Sequence, residues 1–269
     1  PDNDNNRYNG PTRLREALYR SINLVSMRVL LRVGAGKVLN HVKRFGFDTS
    51  SFPRNTQLAI GGGTMTVAPL DMAKAYAVLA NGGYLVEPQI IDRIINQNGQ
   101  VVFANKSPKV CRNCPAEKEP AANTAASRRQ SLAADPTDWL MDNNSLEDLV
   151  ESIGQTATQA KYAPRVLDER NAFIMQSMLR DVVKRGTGRR ALVLKRNDLA
   201  GKTGTTNDAA DTWFNGFNSS LVASVWVGFS GQDPLGSNAY GSNVPLPIWI
   251  DFMRAALVDV PEILPSQPA

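Results

Sequence analysis

Apolar positions follow two different periods along the chain. Between residues 11 and 80 they recur every three to four positions, as one face of a helix requires. Pro11 and Thr12 open a helix through Leu14, Ala17 and Leu18. The pattern breaks at Ser21-Ile22-Asn23 and resumes through Val25, Met27, Leu30 and Val33, stopping at Gly34. Ser21 and Asn23 thus fall at a joint between two helices, where a serine commonly caps the second. A third helix covers roughly 36–44, and Gly61-Gly62-Gly63 is a flexible triplet. Pro69 then starts an alanine-rich helix with Met72, Ala75, Tyr76 and Leu79 on its core stripe, ended by Asn81-Gly82-Gly83.

The period shortens beyond this point. Residues 84–95 alternate toward a strand, Asn98-Gly99 reads as a two-residue hairpin turn, and Val101-Val102-Phe103 returns. From about 105 to 164 periodicity is lost in a stretch rich in Ala, Pro, Asn, Glu and Lys, an irregular insertion in which Thr137-Asp138-Trp139-Leu140-Met141 docks back on the body. A helix through Phe173, Met175, Met178, Leu179 and Val182 ends in Lys184-Arg185-Gly186-Thr187-Gly188, which is turn chemistry without phosphate-loop spacing. Strands follow at 211–217 and 221–229. Pro245 and Pro247 precede a last helix at 248–257, and the proline-rich tail after Val260 is expected to fray.

Composition narrows the classes. The 269 residues are 42% hydrophobic and 20% charged, ordinary for a globular protein with a sizeable core. A net charge of +5 without an arginine-rich helix argues against nucleic acid as a partner and suits an anionic polymer or a membrane surface. No apolar run approaches the roughly 18–20 residues of a membrane span. The polar opening, Pro1-Asp2-Asn3-Asp4, lacks an initiator methionine and a signal peptide, and reads as the start of a fragment. The single histidine, His41, sits in an amphipathic helix at a surface or boundary position, so a Ser-His-Asp triad has no support. Cys111 and Cys114 form a C-x-x-C in a Pro/Lys-rich stretch. One histidine and two cysteines hardly make a zinc site, which leaves a local disulfide or two idle thiols. Nothing calls for a metal or cofactor.

The chemistry concentrates at Leu199-Ala200-Gly201-Lys202-Thr203-Gly204-Thr205-Thr206-Asn207-Asp208. Glycines on either side of Lys202 let a ligand approach the backbone, beside a cation and several hydroxyls. This suits an extended ligand ending in a carboxylate: Lys202 attracts the anion, and Thr203 and Thr205 donate to it. A phosphate loop would need glycine where Arg196 stands, and a helix afterwards rather than a strand. Serine acyl transfer can run without histidine when a lysine serves as base, through S-x-x-K, S-x-N and K-T-G in chain order. Ser21-Ile22-Asn23 and Lys202-Thr203-Gly204 supply the last two in that order.

On these motifs the chain resembles the transpeptidase domain of class A, bifunctional penicillin-binding proteins. Lys202-Thr203-Gly204-Thr205-Thr206-Asn207 running into Asp211-Thr212-Trp213-Phe214, Gly10-Pro11-Thr12-Arg13-Leu14-Arg15-Glu16 before Ser21, Met72-Ala73-Lys74-Ala75-Tyr76, and Arg185-Gly186-Thr187-Gly188 carry the likeness. It covers nearly the whole chain outside 105–164. The resemblance implies an α/β fold of the α+β type: a mainly antiparallel sheet with helices on both faces, incomplete in this chain. It implies a D,D-transpeptidase that attacks the D-Ala-D-Ala end of a peptidoglycan stem peptide through a serine acyl-enzyme, and is the target of β-lactams. Ser21 would relay protons to the leaving nitrogen. Asn23 would hold the acyl-side amide and orient the catalytic lysine. Lys202 would attract the donor carboxylate, with Thr203, Gly204, Thr205 and the rim residue Thr206 binding substrate. The backbone N–H of Thr205 would form half of the oxyanion hole.

The resemblance also implies partners and place: stem peptides, the lipid-linked precursor, β-lactam antibiotics, the upstream half of the same protein and an outer-membrane activator, at the periplasmic face of the bacterial inner membrane. One departure stands out. No Ser-x-x-Lys occurs in the chain; the nearest form, Thr158-Gln159-Ala160-Lys161, has the wrong residue and order. The nucleophile, a membrane anchor and a glycosyltransferase domain are expected upstream, residues 1–269 being the C-terminal part of the domain. A D,D-carboxypeptidase and a non-catalytic peptide- or partner-binding domain are the alternatives.

Overall fold

The computed structural model describes residues 8, 10–62, 65–111, 162–206, 209–231 and 233–268. The expectations for Gly63, the tail of the Lys-Thr-Gly motif at Asn207-Asp208, and 112–161 with its docking segment lie outside these residues. The chain forms two compact units, residues 1–90 with 163–269, and residues 91–162.

In the first unit, α1 (Leu14–Tyr19) and α2 (Asn23–Val33) meet at Ser21. Pro11 and Thr12 precede α1 instead of opening it. The end of α1 closes with the Ile22 N–H donating to Ala17 O at 2.9 Å and the Ser21 N–H to Leu18 O at 3.1 Å. This is a Schellman closure, and its left-handed position, usually glycine, is Ser21 at φ 57°. Ser21 does not cap α2, whose N-cap is Ile22 without a side-chain bond. Next come α3 (Ala35–Lys43), a 3-10 turn (Thr56–Ala59) and α4 (Pro69–Ala80). His41 is exposed on α3 with its ring edge-on to Phe45.

The helix α5 (Glu169–Arg185) starts with the Asp168 carboxylate accepting from the Arg170 N–H and leads into a 3-10 turn (Arg189–Leu194). The last helix, α6, spans Pro245–Ala256. It begins earlier than periodicity suggested because both prolines fit its first turn, where no N–H is needed.

In the second unit, β1 (Arg93–Ile95) and β2 (Val101–Ala104) form an antiparallel hairpin with every residue exposed. Pro88 shortens the strand expected from residue 84. The turn holds three residues, not two: Gly99 takes the left-handed position at φ 78°, and the Asn96 side chain accepts from the Asn98 and Gln100 N–H groups at 3.0 Å. Cys111 is disulfide-bonded, and Cys114 lies outside the described residues.

The first unit's sheet is antiparallel, with β3 (Ala200–Thr205), β4 (Asp211–Phe217) and β5 (Val222–Gly228) in that order. Strand alternation sends Leu199 and Phe214 to one face, Ala200 and Phe217 to the other. The first pair packs with Leu246, Trp249 and Met253 of α6. The second packs with Leu179 of α5 and with Tyr76 and Leu79 of α4. Helices therefore cover both faces, as expected. Phe214 and Trp249 are fully buried and meet edge-to-face, 5.0 Å between centroids. Phe214→Ala would cost roughly 3–5 kcal/mol.

Candidate functional site

The site forms where the α1–α2 joint meets β3. Three contacts hold α1 in place. The Arg15 guanidinium donates to Asp181 at 2.9 Å and to Ser177 at 2.9 Å, both on α5, and Arg185 donates to the same carboxylate at 2.7 Å. Burial pushes the Asp181 carboxyl up, but the bonds from Arg185 and Arg15 outweigh it and hold it below the usual range. From the other side, the Thr187 N–H donates to Tyr19 O at 3.1 Å. Gly186 permits that approach: a Cβ there would lie 2.2 Å from Tyr19 O.

Lys202 projects from β3 toward this joint. Its Nζ donates to Ser21 Oγ at 2.8 Å and to Thr203 O at 2.9 Å, with Thr203 Oγ1 farther off at 3.5 Å. The pair is 181 positions apart in sequence, brought together by the Schellman closure and the edge position of β3. Burial pushes the ammonium down from its ordinary value to about 8. Among the described residues no carboxylate pairs with it.

A cleft of about 1320 Å³ opens here, lined by Ser21, Asn23 and residues Lys202 to Thr206 of the expected site. All seven expected site residues thus face one cavity. Their hydroxyls differ in availability. Thr205 Oγ1 accepts from the Gly241 N–H at 3.0 Å, which leaves its proton free to donate. Thr206 Oγ1 accepts from the Asp211 N–H at 2.8 Å and donates back to Asp211 O at 3.3 Å, so this hydroxyl is engaged in the β3–β4 connection.

Two parts of the cleft escaped the sequence reading. Thr187, whose Oγ1 lies 2.7 Å from Thr203 Oγ1, was read as turn chemistry and as part of the family likeness, without a role in the site; the signal was a hydroxyl flanked by two glycines. The second is the wall containing Ser237, Tyr240 and Gly241. Gly241 seats against the β3–β4 pair so closely that a Cβ would meet Gly204 O at 2.5 Å and Trp213 O at 2.6 Å. Nothing local in that segment announces the contact.

Among the described residues no group of three or more His, Cys, Asp or Glu side chains could hold a metal ion, and no helix is long and apolar enough to cross a membrane.

Comparison with known proteins points to one family. Residues 2–134 and 142–253 match the family described as penicillin binding protein transpeptidase domain. The chain is 46% identical over its whole length to penicillin-binding protein 1A of Pseudomonas aeruginosa, spanning 32% of that protein. It is 37% identical over 96% of its length to penicillin-binding protein 1A of Neisseria meningitidis, spanning 26% of it. The crystal structure of penicillin-binding protein 1A from Haemophilus influenzae superposes with a TM-score of 0.79 at 31% identity, covering all of this chain and 38% of that one.

Proposed function

Since the chain belongs to the family of penicillin-binding protein transpeptidase domains, we propose that it is part of a serine-type D-Ala-D-Ala transpeptidase that cross-links peptidoglycan stem peptides. The observation that carries this reading is the 2.8 Å contact of Lys202 with Ser21 in a hydroxyl-lined cleft with no carboxylate among its described lining residues. A cation without a counter-charge among the described residues favours a ligand that brings its own.

In this reading a serine from a Ser-x-x-Lys elsewhere in a longer protein adds to the penultimate D-alanine carbonyl. The C–N bond to the terminal D-alanine breaks, and its nitrogen takes the serine's proton through Ser21. An amine of a neighbouring stem then attacks the ester, the C–O bond breaks, and the serine regains a proton. Lys202, Thr203 and Thr205 hold the donor carboxylate, with Gly204 keeping the strand open to it and Thr206 at the rim. Asn23 holds the acyl-side amide and orients the lysine of the Ser-x-x-Lys. The Thr205 N–H contributes to the oxyanion hole. A β-lactam enters as a donor mimic and remains as an ester. The longer protein also carries glycosyltransferase activity and an anchor at the periplasmic face of the inner membrane, and there it meets the lipid-linked precursor and an outer-membrane activator. Residues 1–269 act as one transpeptidase portion interrupted at 105–164.

A second reading, a non-catalytic peptide- or partner-binding domain, is favoured only if no Ser-x-x-Lys precedes residue 1 in the longer protein. Intact mass after incubation with a penicillin separates the two. The expected result is a stable adduct on a form extended upstream, slowed or lost on Lys202→Ala, and none on this chain alone. No adduct on either form would leave only the binding reading. An adduct on this chain alone would place the nucleophile within it.

A further inference from the structure

We infer that Thr187 is a further ligand-binding residue of the cleft, a hydroxyl donor to the carboxylate end of the bound peptide. This rests on the transpeptidase reading and adds a residue outside the Ser-x-Asn and Lys-Thr-Gly motifs.

Hydrogen-bond direction fixes where the hydroxyl protons point. An ammonium group can only donate. Lys202 Nζ faces Ser21 Oγ at 2.8 Å, Thr203 O at 2.9 Å and, more distantly, Thr203 Oγ1 at 3.5 Å. The lone pairs of Thr203 Oγ1 turn toward that positive charge and its proton turns away. Thr187 Oγ1, at 2.7 Å, is placed to receive it. The proton of Thr187 must then point elsewhere, and Thr187 lines the cleft. Charge on Lys202 therefore orients a chain of two hydroxyls, in which Thr203 acts on the carboxylate through Thr187 and the free end is a donor. Thr205 reaches the same polarity another way, its acceptor site being taken by the Gly241 N–H at 3.0 Å.

The position of Thr187 is set by backbone, not by the ligand. Its N–H is bonded to Tyr19 O at 3.1 Å, and the N–H groups of Gly186 and Gly188 both reach Val182 O, at 3.1 and 3.0 Å. A donor fixed in advance needs no ordering on binding. It also ties the turn after α5 to the end of α1 that carries Ser21.

The test is NMR titration of the chain with acetyl-lysyl-D-alanyl-D-alanine and with its C-terminal amide. Wild type should prefer the acid. Thr187→Val should weaken acid binding about tenfold and leave the amide unchanged, and Thr187→Ser should restore the acid. Thr187→Ala keeps the backbone contacts and answers the same question should Thr187→Val not fold. If the variant binds the acid as wild type does, or loses acid and amide equally, Thr187 is a packing residue and the inference falls. Wild type that does not prefer the acid overturns the transpeptidase reading itself.

Discussion

The two ends of one short segment treat a partly buried cation in opposite ways. At its base, Arg196 grips Asp198 with two bonds of 3.0 and 2.8 Å, and the Asp198 side chain is fully buried. Asn218 adds a third bond to that carboxylate at 3.2 Å, and Arg196 also holds Val260 O at 2.7 Å and Pro261 O at 3.2 Å. Six residues on, Lys202 meets only neutral oxygens of Ser21 and Thr203 among the described residues. The Asp198 hydrogen bond raises the Arg196 pKa, whereas burial lowers that of Lys202. The base is electrically closed and serves the fold. The cleft end is left open and serves a ligand.

The largest expected effect breaks the closed end. Arg196→Met leaves Asp198 buried without its partner and should cost roughly 3–5 kcal/mol in urea unfolding. Arg196→Met combined with Asp198→Leu should recover most of that, because no charge is stranded. Lys202→Met is the contrast. It should not destabilise the fold, because it strands no partner charge and removes a desolvated ammonium, and it should weaken binding of a carboxylate-ended peptide by about 100-fold, close to 2.7 kcal/mol by titration calorimetry. If Lys202→Met destabilises as strongly as Arg196→Met, the distinction between the two ends is wrong.

The same contrast shows what could be read from the chain. The helices before residue 80, the sheet strands and the motif residues were legible, because period, glycine and proline act locally. Grouping Ser21, Asn23 and Lys202 rested on likeness to a family, not on periodicity. The clamp at the base was not legible. Arg196 reaches 64 positions to Val260, and the tail expected to fray is held there, with the Glu262 carboxylate accepting from the Asn197 N–H at 2.9 Å. Nor could the sequence reveal that Ser21 occupies a left-handed position, since polar residues at a joint fit a cap equally well. Thr187 and Gly241 were missed for a like reason: each acts through tertiary contacts.

The left-handed Ser21 gives a smaller and opposite-signed prediction. A Cβ at φ 57° costs roughly 1–2 kcal/mol relative to glycine. Ser21→Gly should therefore raise the unfolding free energy by about 1 kcal/mol, visible as a higher melting temperature. It should also remove the hydroxyl that Lys202 contacts and abolish the activity of the longer enzyme. A destabilised Ser21→Gly would mean that the Lys202 contact contributes more to stability than the backbone strain takes away.

A last contrast separates the two cations by pH. In the unfolded chain Lys202 should titrate near its ordinary value of roughly 10.4, whereas in the folded chain burial brings it to about 8. Below pH 8 both states hold the proton, and the folded state bears the cost of a desolvated charge. Between about 8 and 10.4 the unfolded chain binds more protons, so this group's contribution makes stability rise with pH. Carboxylate binding needs the charged form and should fall over the same window. One ammonium thus predicts two opposed trends: stability rising and affinity falling. Both should vanish in Lys202→Met, while Arg196, charged throughout, contributes to neither. Unfolding and peptide titrations at pH 7, 8, 9 and 10 would show this. A wild type that matches Lys202→Met in its stability slope, and holds its affinity to pH 10, would mean that Nζ keeps its ordinary pKa and that the open end is no less solvated than the surface.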